Sequence, residues 1–140
     1  HLGATKDQIR LNVELGYIDQ SIAVLNHEVS LLENLIDVNP NLSITEAYTI
    51  LARYKFRNIT AHRKVADLSG GEKVRAALAI LLNTQTVPQL LILDDPTNHL
   101  DVESIELLEQ ALNCYKGAIL VVSHDFHFLK NINIDREVCV

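Results

Sequence analysis

The order of secondary-structure signals predicts an α/β fold built on a parallel sheet. Leu90 to Leu93 has the character of a fully buried strand, and Ala118 to Val122 is a second continuous apolar strand. Each leads into a helix with an acidic cap, Asp101 before the stretch from Val102 to about Tyr115 and Asp125 before a shorter one. Strand, helix, strand, helix after residue 70 implies crossover connections, which make neighbouring strands parallel.

The remaining elements follow in chain order. Ile9, Leu11, Val13, Leu15 and Tyr17 alternate with polar residues, the period of a half-buried strand that ends near Gln20. Val29 to Ile36 reads as a short helix, broken by Asn39-Pro40. Ser43 and Glu46 have capping-box spacing for a helix over Ile44 to Tyr54, with Leu42 and Ala47 placed as a hydrophobic staple. Val29 to Asp67 carries no strand signal, and its polar surface is the expected contact face for outside partners. Gly70 to Leu82, rich in alanine and leucine, predicts a strong helix. In the next helix Val102, Ile105, Leu108 and Leu112 share one face, and Gly117 ends it. The tail from Arg136 is expected to form a last strand. Three regions result: a strand region over 1–28, a helical subdomain over 29–87 and an α/β part over 88–140.

At 140 residues, 48% hydrophobic and 21% charged, the chain holds about one domain of ordinary globular composition. A net charge of -6 exerts no overall pull towards nucleic acid or an anionic membrane, so a nucleic-acid role requires a local patch or a further segment. The longest apolar runs, Ala76 to Leu82 and Ala118 to Val122, fall far below the roughly 18 residues of a membrane span. Cys114 and Cys139 match no metal or redox spacing and sit among apolar neighbours, which reads as two free buried thiols in a reducing compartment. The chain opens at His1 rather than Met, as a fragment would.

Four polar motifs stand at strand or helix ends. "LSGGEKVR", Leu68 to Arg75, is complete as a capped helix start, with Ser69 as N-cap and Glu72 returning the bond. Its glycines also expose backbone N–H groups at the positive end of a helix dipole, which suits an anion. "LLILDDPTNHLD", Leu90 to Asp101, ends an apolar strand on Asp94 and Asp95, and adjacent carboxylates there call for a nearby cation. "VVSHDFHFL" ends a strand on His124, and "GYIDQ" leaves Gln20 at another strand end. Strand ends are where open α/β sheets place their chemistry.

Together these motifs resemble the ABC ATPase family, and "PTNHLD" with "SHDFHFL" resembles its ABC-F class of soluble twin-cassette proteins acting on the ribosome. "LSGGE" is similar to the signature motif, "LILDD" to Walker B, "NHLD" to the D-loop, "VVSH" to the switch histidine and Gln20 to the Q-loop glutamine. The resemblance covers nearly all of the chain from Gly16 onward. It implies a partial P-loop NTPase fold with an all-helical signature subdomain. It also implies ATP and Mg²⁺ as cofactors, a second cassette packed head to tail, the ribosome and its tRNA as partners, and a cytoplasmic location.

The implied roles fall on nine residues. Ser69, Gly70 and Gly71, with Glu72 beside them, would meet the γ-phosphate of a nucleotide held by the other cassette. Asp94 would hold Mg²⁺, Gln20 would reach Mg²⁺ or the attacking water, and His124 would hydrogen-bond the γ-phosphate. Asp101 would tie the cassettes together. Asp95 stands where the family usually has the glutamate that orients or deprotonates water, one methylene short of that reach. That departure leaves two readings open, a working ATPase and a module in which ATP only locks a dimer. Phe126 stands where ABC-F proteins often have arginine. A transporter ATPase subunit is a third reading, disfavoured by "NHLD".

No G-x-x-x-x-G-K-[ST] phosphate loop occurs in the 140 residues. The chain thus reads as about the C-terminal two-thirds of one cassette, inactive alone, with an unpaired edge at Ala118 to Val122 that favours self-association.

Overall fold

The computed structural model describes residues 13–138. Three parallel strands form one sheet in the order β1-β2-β3: β1 (Leu15–Ile18), β2 (Leu90–Asp94) and β3 (Ala118–Val122). The register pairs Leu15 with Leu90 and Leu90 with Ala118, and runs on to Ile18 with Leu93 and Asp94 with Val122. Between β1 and β2 lie α1 (Leu31–Val38), α2 (Ile44–Arg53), 3-10 turns at Asn58–His62 and Val65–Asp67, and α3 (Gly70–Leu81). α4 (Val102–Cys114) joins β2 to β3, and α5 (Phe126–Asn131) follows β3.

Three serine-glutamate capping boxes start the helices before β2. In Ser30/Glu33, Ser43/Glu46 and Ser69/Glu72, the glutamate N–H donates to the serine Oγ and the serine N–H donates to the carboxylate. Two of these are the boxes expected from the sequence. Ser30 and Glu33 have the same spacing, and their box sets α1 two residues later than the expected start at Val29.

α3 is the central helix. It packs against α4 and β1 on one side and α1 and α2 on the other, so it joins the helical region to the sheet. Its Ala76 to Ile80 segment is buried all round, which small alanines permit by letting neighbours approach. One core cluster runs from Ile18 through Leu35, Leu51, Phe56, Leu78, Leu91, Leu93 and Leu108 to Ile132.

Several expectations change. β2 is not buried on both faces: Leu91 and Leu93 are fully inside, whereas Leu90 and Ile92 are half-buried. The register places Leu15, Tyr17, Leu120 and Val122 on that outer face, where they are exposed. Among the described residues nothing buries this outer face, although parallel sheets are ordinarily covered on both. Val102 leaves the apolar face of α4 and is exposed, because it is the first residue past the cap, and Leu107 takes the inward position instead. Cys114, expected to be buried, is exposed at the end of α4, where the helix has already left the core, and Cys139 lies outside the described residues. Arg136 to Val138 form no strand. Ile9 and Leu11 lie outside the described residues, and the strand they were assigned to begins at Leu15.

Candidate functional site at the strand ends

Because the strands are parallel and in register, their C-terminal ends lie along one rim of the sheet. Gln20 follows β1, Asp94 closes β2 with Asp95 next, and His124 follows β3. Gln20, Asp94 and His124 are exposed, and Asp95 is half-buried. No side-chain hydrogen bond to another described residue ties down these three exposed groups or Asp95, which leaves all four free for a ligand.

The backbone fixes where they stand. After β1, Asp19 closes a tight turn: its Oδ1 accepts from Ser21 N–H (3.0 Å), Ser21 Oγ (2.6 Å) and Ile22 N–H (3.0 Å). The Ser21 hydroxyl, with these N–H groups, holds the Asp19 carboxyl below its ordinary range. Ile22 is buried with φ 49°, rare for a β-branched residue, so tertiary packing enforces this turn. Asp95 is also left-handed, with φ 48°, and its N–H donates to the Val122 carbonyl at 2.8 Å. That bond staples the residue after Asp94 to the end of β3. The loop then turns through Asn98 N–H to Asp95 carbonyl (3.2 Å) and a left-handed His99, φ 61°, before Asp101 caps α4.

The signature segment meets this loop at a second point. Gly71 is buried, and a Cβ there would lie 3.0 Å from Ser104 Oγ and 3.4 Å from Asp101 Oδ1. Close approach of the two helix N-termini leaves little room for a side chain at position 71. Gly70 is exposed, with nothing within 4 Å of an added Cβ. Ser69 is exposed and committed through Oγ to the cap. Glu72 is occupied by the Ser69 N–H (2.8 Å) and by Arg63 (3.1 Å), which together hold its carboxyl below the usual range. Asp101 is held low by the Ser104 side chain first, then by the Ser104 N–H and the charge of Arg75. The rim thus gathers Gln20, Asp94, Asp95 and His124, and a separate junction joins Gly71 to Asp101.

Two contributors were missed in the sequence. Ser104, almost fully buried, supplies the N–H that Asp101 accepts and the surface that Gly71 fits. The Asp101-x-x-Ser104 spacing at a helix start carried that signal. Arg75 stacks over Phe56 (5.2 Å to the ring centroid) and donates to the Tyr54 carbonyl at 3.2 Å, linking α3 to the end of α2. Nothing in the local sequence marks that long-range contact.

A carboxylate and an amide on an open rim suit Mg²⁺, which binds through one or two carboxylates plus phosphate oxygens and water. Among the described residues no group of three or more His, Cys, Asp or Glu assembles a metal site by itself, so such an ion would share its coordination with phosphates.

The family model for ABC transporters matches residues 3–98. The chain belongs to the ABC family. Its relatives place it in the F class: it is 45% identical over 121 residues to the putative ATP-binding protein YdiF of Bacillus subtilis, covering 86% of this chain and 18% of YdiF. It is 42% identical over 129 residues to mouse ATP-binding cassette sub-family F member 3, covering 91% of this chain and 18% of that protein. This ABC-F chain therefore spans about 18% of the length of these curated relatives. Its fold matches that of an RNase-L inhibitor structure, with a TM-score of 0.70 at 25% identity over 91% of this chain and 25% of that one. It also matches a dimeric ATP-binding cassette, MJ0796, in a post-hydrolysis state with ADP and Pi, with a TM-score of 0.67 at 24% identity over 84% of this chain and 55% of that one.

Proposed function

We propose that this ABC-F segment supplies the signature, Walker B, D-loop and switch-histidine elements of a cassette that binds and hydrolyses ATP against a second cassette, in a cytoplasmic, ribosome-associated protein. The observation that carries it is the convergence of Gln20, Asp94, Asp95 and His124, unencumbered, on one rim of a parallel sheet. Mg²⁺ bound to ATP would neutralise charge on the transferring phosphoryl group. Asp94, with Gln20, would hold it. Asp95 accepts the proton of the attacking water or orients it, and His124 donates to the γ-phosphate. Ser69, Gly70 and Gly71 present N–H groups and the dipole end of α3 to the nucleotide of the facing cassette, with Glu72 holding the cap that orders them. Asp101, held anionic by Ser104, lies at the same junction and contacts that cassette.

By this reading residues 29–87 form the signature subdomain and the flanking regions belong to the nucleotide core. The dimeric state of MJ0796 and a solved complex of an archaeal ribosome recycling factor with the ribosomal stalk protein aP1 lend support to the two classes of partner. In a complete cassette carrying this sequence, Asp94→Ala is expected to remove ATP turnover and Mg²⁺-dependent nucleotide binding together. Turnover that survives Asp94→Ala overturns the assignment.

A non-hydrolytic ATP lock has one observation in its favour. The Asp95 N–H donates to the Val122 carbonyl, which ties the backbone carrying the shorter side chain to the end of β3. Misplacement of about 1 Å can cost about 10²-fold in rate. Stable ATP occlusion without turnover in the complete cassette would select that reading.

A further inference from the structure

The signature segment has few constraints of its own. Gly70 is exposed, and an added Cβ there would meet nothing within 4 Å. Its path is therefore set by what holds the two ends of the turn. Gly71 rests against Ser104 on one side. On the other stands the half-buried Arg63. Its Nη1 donates to Glu72 Oε1 at 3.1 Å, and its Nη2 donates to the Asp67 carbonyl at 2.7 Å. One guanidinium thus spans the entry to α3, from the residue before Leu68 to the residue that closes the cap.

Arg63 is itself fixed. Its N–H donates to the Thr60 carbonyl and its carbonyl accepts from the Leu31 N–H, both at 3.2 Å. Lys64 pairs with Ser30 in an antiparallel bridge, and the N–H of the fully buried Val65 donates to the Val29 carbonyl at 3.1 Å. The arginine is thereby built into the 3-10 turn and the start of α1. The other caps lack such a partner. Glu33 and Glu46 close the same kind of serine box, yet neither forms an ion pair among the described residues. Glu72 divides its carboxylate between two tasks, Oε2 accepting from the Ser69 N–H at 2.8 Å and Oε1 from Arg63.

We propose that Arg63 is a positioning residue that aims the Gly70 and Gly71 N–H groups at the nucleotide of the facing cassette. This role rests on the ATPase reading above, and Arg63 acts through Glu72 without touching nucleotide. A planar guanidinium that donates to two acceptors, one on each side of Leu68 and Ser69, orients the turn as well as attracting it. Without the fork Glu72 still caps Ser69, but the turn loses its tie to Asp67, and the two glycines leave the backbone free to move. Donors stabilise developing charge on a phosphate best when they are already in place. A half-exposed ion pair with only a stabilising role would lower Tm slightly and leave kcat alone.

The test uses a complete pair of cassettes carrying this sequence. Arg63→Met should lower kcat about 10-fold, short of the ~10²-fold that a ~1 Å misplacement can cost. KM for MgATP should not change, because the facing cassette holds the nucleotide. Arg63→Lys keeps the charge without the fork and should lower kcat less, again at unchanged KM; it decides the matter if circular dichroism shows the methionine variant misfolded. Glu72→Gln keeps an oxygen for the Ser69 N–H, and in that background Arg63→Met should add little further loss. Lys64→Met, at the exposed neighbouring position, should leave both constants unchanged. Unchanged kcat in either Arg63 variant, a rise in KM alone, full additivity with Glu72→Gln, or an equal loss in Lys64→Met overturns the proposal. Asp94→Ala, measured alongside, separates the two levels. Turnover that survives Asp94→Ala overturns the ATPase reading and this role with it, whereas turnover lost there but intact in Arg63→Met overturns this role alone.

Discussion

One methyl group at Gly70 should separate the folding of the signature segment from its function. Gly70 opens α3, is exposed, does not have positive φ, and an added Cβ meets nothing within 4 Å. Alanine there reduces the freedom of the unfolded chain at no steric cost, worth about 0.5 kcal/mol at a helix start. For a chain of this size that raises Tm by about 1–2 °C. Gly71 is the contrast. Its added Cβ would lie 3.0 Å from Ser104 Oγ, and Ser104 is buried with its N–H bonded to Asp101. The neighbour must give way, and overpacking of this kind costs about 1–3 kcal/mol, so Gly71→Ala should lower Tm by several degrees. Thermal melts of the two variants measure this directly. In a complete cassette both should lose ATP turnover, Gly70→Ala by about 10²-fold, because a methyl group would hold the phosphate about 1 Å off. A lower Tm for Gly70→Ala would refute the packing account. Unchanged turnover would refute close approach of the signature N–H groups to nucleotide.

Further outcomes follow from the same geometry. In a complete cassette Asp95→Glu should speed single-turnover hydrolysis by restoring the missing methylene, and Asp95→Asn should trap ATP; equal or slower hydrolysis in the glutamate variant counts against Asp95 as the water-orienting group. Stability should fall in acid: Glu33, Glu46, Glu72, Asp19 and Asp101 all have depressed folded values. Their contribution is complete above the unfolded values of 4.5 for Glu and 3.8 for Asp and is lost as pH falls through the folded ones, so urea melts should show falling midpoints below about pH 4.5, less steeply in Glu72→Gln. Ser69→Ala should cost about 1 kcal/mol through the lost cap. The 140-residue chain should self-associate at micromolar concentration, because among the described residues β3 ends the sheet with Leu120 and Val122 exposed; a monomer by sedimentation that binds no hydrophobic dye would contradict this.

By itself, the sequence determined whatever depends on short-range spacing. The caps at Ser43, Ser69, Asp101 and Asp125 and the ends of α2, α3 and α4 to within one residue were legible because a cap and its partner lie three residues apart. The order of polar residues at strand ends was legible for the same reason, and with it the family. The tertiary structure alone decided which groups meet. Parallel register brings Gln20, Asp94, Asp95 and His124 to one rim although they are spread over more than a hundred residues. Only folding could decide that Gly71 fits against Ser104, that Arg75 reaches Tyr54, and that among the described residues one sheet face is exposed. Local pattern encodes what a segment becomes. Contacts between distant segments depend on how the whole chain shares one core, and no window of sequence contains that.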